Sequence, residues 1–353
     1  MSDQLFRELQ QRLDQYSVGF PATESGIEIK ILKKLFKPED AELFLALSPA
    51  LESPDAVAAR VNRPIDALAE HLENMSRRGL LFRWQKGDAV KYGAIPFVHG
   101  LFEFQVKDLD RELALLVDEY FNEAFDGAMR KSAAAFLRTV PVNRTLEFLP
   151  QVASYDDALT LLRQVDKIVV TDCICRRQKE LVDQACDAPR EVCFMFGSMG
   201  QYYLDRNIGR RVDVDEAISI LTAAQEAGLV TQPATAQNPG GMCNCCGDCC
   251  GVLRALNQHP KPAELVFSNH FAAVDADLCT ACESCLDRCQ MKAITVNDTA
   301  EINLDRCIGC GLCVMACPTD AIRLDSVPEE KRRVPPSSTR DQMFYMAQLR
   351  GLI

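Results

Sequence analysis

The sequence predicts an α+β chain in parts: an N-terminal run of helices closed by a hairpin, a cysteine-rich middle of mixed helix and strand, and a C-terminal pair of cysteine repeats. Three observations predict this. All 17 cysteines lie between Cys173 and Cys317, and none precedes Cys173. The stretches "DADLCTACESCLDRCQMKAITV" and "NLDRCIGCGLCVMACPTDAIRL" repeat each other at 28 residues, the interval from Cys279 to Cys307. Before the cysteines, helical periodicity gives way once to strand-like alternation, in "LFRWQKGDAVKY". The resulting boundaries are 1–105, 106–265, 266–326 and a tail over 327–353.

From Lys37 to Gly100 the order reads helix, helix, helix, hairpin. In "SPDAVAARVN", Ser53 is placed to cap a helix whose first turn holds Pro54, and Pro there sacrifices no hydrogen bond. "PIDALAEHLENMSRRGL" puts Ile65, Leu68, Leu72 and Met75 on one face and stops at Gly79. Two short strands then flank a turn at Lys86-Gly87-Asp88. This order resembles a winged helix-turn-helix domain.

Between about Asp108 and Leu137 the pattern is helical and connects the parts. "SYDDALTLLRQVD" reads as a helix capped by Ser154, and "KIVVTD" as a buried strand delivering the chain to a loop that holds the first cysteines. "DVDEAISILTAAQEAG" gives an amphipathic helix with Val214, Ala217, Ile218 and Leu221 on one side and Gly228 as its stop. Beyond Leu324 the chain turns Pro- and charge-rich and then apolar, as a docking tail or a segment laid over the protein's own surface.

The first residues lack the zones of a signal peptide, and no apolar run approaches the ~18–20 residues of a membrane span. No membrane insertion is expected, and a cytoplasmic setting follows. There thiols stay reduced, so cysteines serve as metal ligands or redox centres in preference to disulfides. A net charge of −11 argues against a general polyanion binder.

Each repeat contains C-x2-C-x2-C-x3-C, and the pair resembles bacterial dicluster ferredoxins. Zinc knuckles would instead close with two CxxC-type pairs. The resemblance implies that Cys279, Cys282, Cys285 and Cys317 hold one 4Fe–4S cluster, while Cys307, Cys310, Cys313 and Cys289 hold another. Pro318 fits the ferredoxin pattern; Gln290 stands where the first run would carry proline.

Nine thiols remain: Cys173, Cys175, Cys186 and Cys193 in one group, and Cys243, Cys245, Cys246, Cys249 and Cys250 in "CNCCGDCC". Neighbours in extended backbone point to opposite sides, so Cys245/Cys246 and Cys249/Cys250 are expected to serve two places. All nine are candidate metal ligands. One or two further 4Fe–4S clusters or one larger cluster, a redox dithiol or substrate-binding thiol site, and a structural zinc or plain packing all remain open. With "VTDCICRR" and "CDAPREVCFMFG", the stretch is similar to winged-helix, ferredoxin-type iron–sulfur proteins of anaerobes, a group named for its clusters and not for a reaction. Arg176 and Arg177 either tune a cluster or are simply solvated. His71, His99, His259 and His270 have no ligand spacing and read as ordinary residues.

Three functions are consistent with these residues. The leading one is an electron-transfer protein passing single electrons between redox protein partners, a flavoprotein or oxidoreductase subunit among them, since no nucleotide loop or hydrolytic constellation is present. The second is a redox-responsive DNA-binding regulator, disfavoured because Asp66, Glu70 and Glu73 crowd the would-be recognition helix. The third is a reductase working on an unusual cluster.

Overall fold

A computed structural model describes residues 2–48, 50–146 and 153–353. The N-terminal helices are α1 (Ser2–Asp14), α2 (Ile27–Leu35), α3 (Pro38–Ala46), α4 (Pro54–Val61) and α5 (Ile65–Arg77), followed by β1 (Phe82–Lys86) and β2 (Ala89–Gly93). Ser53 caps α4 by accepting from the Ala56 amide at 3.4 Å. Leu68, Leu72 and Met75 are fully buried, whereas Ile65, at the open end of α5, is 49% exposed. Gly79 ends the helix with φ +76°. The hairpin pairs Lys86 with Ala89, which leaves Gly87 and Asp88 as a two-residue turn with Gly87 left-handed.

The connector is not one helix. α6 (Arg111–Tyr120) and α7 (Asp126–Phe136) are joined by a π-helical turn, Phe121–Phe125, of a kind often found beside functional sites. Its extra residue turns Phe121 and Phe125 into the interior, where their rings stack at 4.6 Å. Next come the single turn α8 (Asn143–Leu146) and then α9 (Ala158–Gln164). The expected Ser154 cap is corrected here: Ser154 opens a short 3-10 turn, and Asp157 caps α9 by accepting from the Leu159 amide. Asp157 wins because the 3-10 turn uses Ser154 before the α-helical register begins.

The middle region is built on a five-stranded antiparallel sheet with order β5-β3-β4-β7-β6. Its strands are β3 (Ile168–Asp172), β4 (Glu191–Phe196), β5 (Arg210–Val212), β6 (Val230–Pro233) and β7 (Gly241–Cys245), with α10 (Ile174–Leu181), α11 (Gly197–Asp205) and α12 (Val214–Glu226) between them. Side chains alternate across a strand, so the two faces have different neighbours. Ile168, Val170, Phe194, Phe196 and Met242 pack with Ala217 and Leu221 of α12. Cys193, Met195, Cys243 and Cys245 take the opposite face, toward α7 and the π-turn.

α13 (Gly251–Asn257) and α14 (Pro262–Leu265) lead to β8 (His270–Val274), β9 (Ile294–Val296), β10 (Ala300–Ile302), α15 (Leu312–Ala316) and β11 (Ile322–Ser326). β11 pairs with β8, and β10 with β9. The 28-residue repeat is also a backbone repeat: Ala281, Glu283 and Lys292 are left-handed, as are Gly309, Gly311 and Asp320 at the matching positions. The tail carries α16 (Thr339–Leu349), which lies on the chain itself. Gln342 donates to the Ala135 and Phe136 carbonyls at the end of α7, and Arg350 reaches Asp14. Among the described residues no helix is long and apolar enough to cross a membrane.

Candidate metal centres

The eight thiols of the repeat separate into two cavities. Cys279, Cys282, Cys285 and Cys317 line one, with Val296, Ala300 and Ile322. Cys289, Cys307, Cys310 and Cys313 line the other, with Ala272, Met291 and Ile308. Backbone amides already point at sulfur: Ala300 to Cys279 at 3.3 Å, Ala272 to Cys307 at 3.4 Å, and Ala293 to Cys289 at 3.2 Å. Such donors favour thiolate over thiol and offset cluster charge. The first cavity reaches the surface at exposed Cys282, whereas burial raises the Cys310 thiol to about 12 in the second. A cavity of that kind takes thiolates only together with a cation.

The first cysteines are not in a loop. Cys173 stands at the end of β3 as the N-cap of α10, and Cys175 lies in the first turn of that helix. The β4–β7 pairing brings the two thiol groups together: setting Phe194 against Met242 places Cys193 beside Cys243.

Six of the nine thiols form a closed ring: Cys173 meets Cys175 and Cys193, Cys243 meets Cys193 and Cys245, and Cys250 meets Cys245 and Cys175. Sulfur donation from both ring neighbours holds Cys173, Cys243 and Cys250 well below the ordinary thiol range. The same contacts raise Cys175, Cys193 and Cys245. The ring alone therefore accommodates charge on alternate sulfurs, and six thiolates demand the positive charge of bound metal. Phe121, Phe125, Phe136 and Val252 complete the chamber. Gly251 is fixed there by contact, since a Cβ would lie 2.8 Å from the Phe121 ring.

Cys186, Cys246 and Cys249 stand apart, their sulfurs all within 4.8 Å of one another. "CNCCGDCC" thus divides: Cys243, Cys245 and Cys250 face the ring, and Cys246 and Cys249 face the trio. Hydrogen bonding from Cys249 outweighs burial and, with Arg176 nearby, lowers Cys246 to about 6. Asp248 between them is exposed.

The structure decides between the two readings left open for Arg176 and corrects the one made for His99. Arg176 is 3% exposed and so not solvated. One terminal nitrogen donates to the Asn244 carbonyl at 3.0 Å, while Nε and Nη1 have no partner. Burial opposes its charge, yet the Cys173, Cys246, Cys193 and Cys245 thiolates hold it above the ordinary arginine range. Arg177, by contrast, pairs with Glu180 near the surface. His99 is also no ordinary residue: it faces the ring chamber from between Pro96 and Phe102. Burial works against its charge, but Glu103 and the Cys243 thiolate prevail and raise it to about 9. Burial in turn lifts Glu103 to about 7. Nothing in the linear sequence marks this pair, because the cysteines it faces lie far along the chain.

A family model described as a 4Fe-4S binding domain matches residues 300–323, the span that holds Cys307, Cys310, Cys313 and Cys317. No curated protein and no solved structure matches the chain. The matched span indicates 4Fe–4S binding and, with the many cysteines, iron–sulfur electron transfer.

Proposed function

We propose that this chain is an electron-transfer protein whose route runs from the exposed ferredoxin cavity, through the buried one, to a larger iron–sulfur centre in the six-thiol ring. The carrying observation is the placement of the second cavity: Cys289, Cys307 and Cys310 pack against the same apolar core as Cys245 and Cys250 of the ring, and Gln290, next to Cys289, accepts from the Gly247 amide two residues after Cys245. In this reading Cys279, Cys282, Cys285 and Cys317 hold the outer 4Fe–4S cluster and Cys289, Cys307, Cys310 and Cys313 the inner one. Cys173, Cys175, Cys193, Cys243, Cys245 and Cys250 hold the third centre. The clusters supply one-electron redox capacity. The chain supplies the rest: amides that offset sulfur charge, Phe121 and Phe125 to exclude water, and Arg176 as a fixed cation. Exposed Cys282 marks where a redox partner, a flavoprotein or oxidoreductase subunit, would dock.

A second reading, a reductase acting at the ring, is favoured by the His99–Glu103 pair, which places an acid and a base beside Cys243. The DNA-binding reading gains no such support. Arg60 is held by Glu52, and Arg77 and Arg83 by Glu73, so these cations are already paired within the chain. Arg83 also meets Asp205, and Phe82 lies 5.3 Å from the Tyr202 ring, which docks the hairpin on α11.

Anaerobic iron and sulfide counts with redox-monitored electron paramagnetic resonance test the relay. The expected result is more than about eight irons per chain, the content of two 4Fe–4S clusters, and a signal lost in Cys193→Ser while the ferredoxin signals persist. A count of about eight irons, unchanged by Cys193→Ser, would overturn it.

A further inference from the structure

We infer that Cys186, Cys246 and Cys249 hold a single thiophilic divalent ion of the zinc class, at a site distinct from the iron–sulfur centres. The spacing of the sulfurs carries this. Cys186 and Cys246 are 3.7 Å apart, and all three sulfurs lie within 4.8 Å of one another. One tetrahedral ion with metal–sulfur bonds of about 2.3 Å sets its thiolates about 3.8 Å apart. A cubane holds each thiolate on a different iron and spreads them wider. The chain contains its own comparison: among the described residues, neither ferredoxin cavity brings three thiols within that distance, and neither does the ring. The trio alone has the spacing of one ion.

Arg176 adjoins the trio as well as the ring: it is buried, two of its donors lack partners, and the thiolates of Cys173, Cys193 and Cys245 as well as Cys246 act on its charge. A buried guanidinium beside neutral, merely packed thiols would be strongly unfavourable. Three thiolates around a divalent ion carry one net negative charge, which the guanidinium shared with the ring offsets in part. Binding releases the thiol protons to solvent, and no electron is transferred. The surrounding residues are apolar, with Val192, Ala224 and Leu229 behind Cys246 and Cys249, while Cys186 lies on the loop after α10. Among the described residues no fourth His, Cys, Asp or Glu atom joins the group, so the fourth position is left to water or an added ligand, as in reactive zinc sites.

The test is metal analysis and zinc-edge X-ray absorption on the full chain, purified anaerobically from medium containing zinc and iron. About one zinc per chain is expected, with three sulfur neighbours at about 2.3 Å. Cys186→Ser and Cys249→Ser should each lose that zinc while keeping iron content and the electron paramagnetic resonance signals. Absence of zinc, a zinc shell without sulfur, or loss of iron in place of zinc from Cys186→Ser overturns the assignment. The wild-type absorption spectrum needs no variant to fold. Iron is counted separately, so failure here and failure of the electron-transfer reading are distinguishable.

Discussion

Gln290 joins the inner ferredoxin cavity to the thiol-rich loop: its Oε1 accepts from the Gly247 amide at 2.6 Å, and its Nε2 donates to the Gly228 carbonyl at 2.9 Å. Gln290 follows Cys289, Gly247 follows Cys246, and Gly228 ends α12. The residue that departs from the ferredoxin pattern is thus a bracket between two cysteine-bearing regions. A proline could form neither side-chain bond.

Gln290→Pro and Gln290→Ala should therefore both lower stability by about 2 kcal/mol, from two lost hydrogen bonds at about 1 kcal/mol each. Chemical denaturation measures this. In the loaded protein the ferredoxin signals should remain, while reduction of the ring centre by an added electron donor slows, as read by freeze-quench spectroscopy.

The two runs should respond unequally at equivalent positions. Gly309 has φ +68°, and a Cβ there would lie 2.0 Å from the His270 carbonyl oxygen. Gly309→Ala should cost more than about 3 kcal/mol through strain and overpacking and reduce iron content. Ala281 has the same left-handed backbone with φ 51° but lies nearer the surface. Ala281→Gly should change stability by less than about 1 kcal/mol. Thermal unfolding with iron analysis compares them.

Glu52 gives a pH dependence whose sign is fixed. Hydrogen bonds from Arg60 outweigh burial and lower its carboxyl to about 2. A depressed acid stabilises the fold above its unfolded value of about 4.5, and that stability is lost as pH falls toward 2. Arg60 is 43% exposed, so screening limits the effect to roughly 0.5 kcal/mol. Glu52→Gln should flatten the difference between pH 6 and pH 2 in urea unfolding.

Asp40 should matter more. It is 2% exposed and holds Arg78 at 2.7 Å and His71 at 2.8 Å, while accepting from the Lys37 amide at 2.9 Å. Burial opposes its charge, but these partners hold its carboxyl below the usual range. Asp40→Asn, which leaves the Arg78 guanidinium facing a neutral amide, should lose about 2–3 kcal/mol in chemical denaturation at neutral pH.

Local rules were legible where neighbours in sequence are neighbours in space. The Ser53 cap, the Gly87-Asp88 hairpin and the buried strand before Cys173 each depend on a few adjacent residues, and each is present. Cys245 and Cys246 are divided at the end of β7, as alternation expects, whereas Cys249 and Cys250 are divided because the first lies in a turn and the second caps α13. Ser154 failed because a 3-10 turn and Asp157 compete locally for the same helix start. His99, Glu103 and the burial of Arg176 gave no local signal of their place, since the thiols they face come from strands and helices distant in the chain.

By itself the sequence determined the thiol inventory, the 28-residue repeat and the two-sided character of Cys243 to Cys246, because these follow from spacing and side-chain alternation. Only the tertiary structure decided the partition of the nine middle thiols into six and three. The reason is long-range pairing: the register between β4 and β7 sets Cys193 beside Cys243, and folding of the loop after α10 brings Cys186 to Cys246. Arg176 is then enclosed where thiolates of both groups act on its charge, Cys173, Cys193 and Cys245 from the ring and Cys246 from the trio.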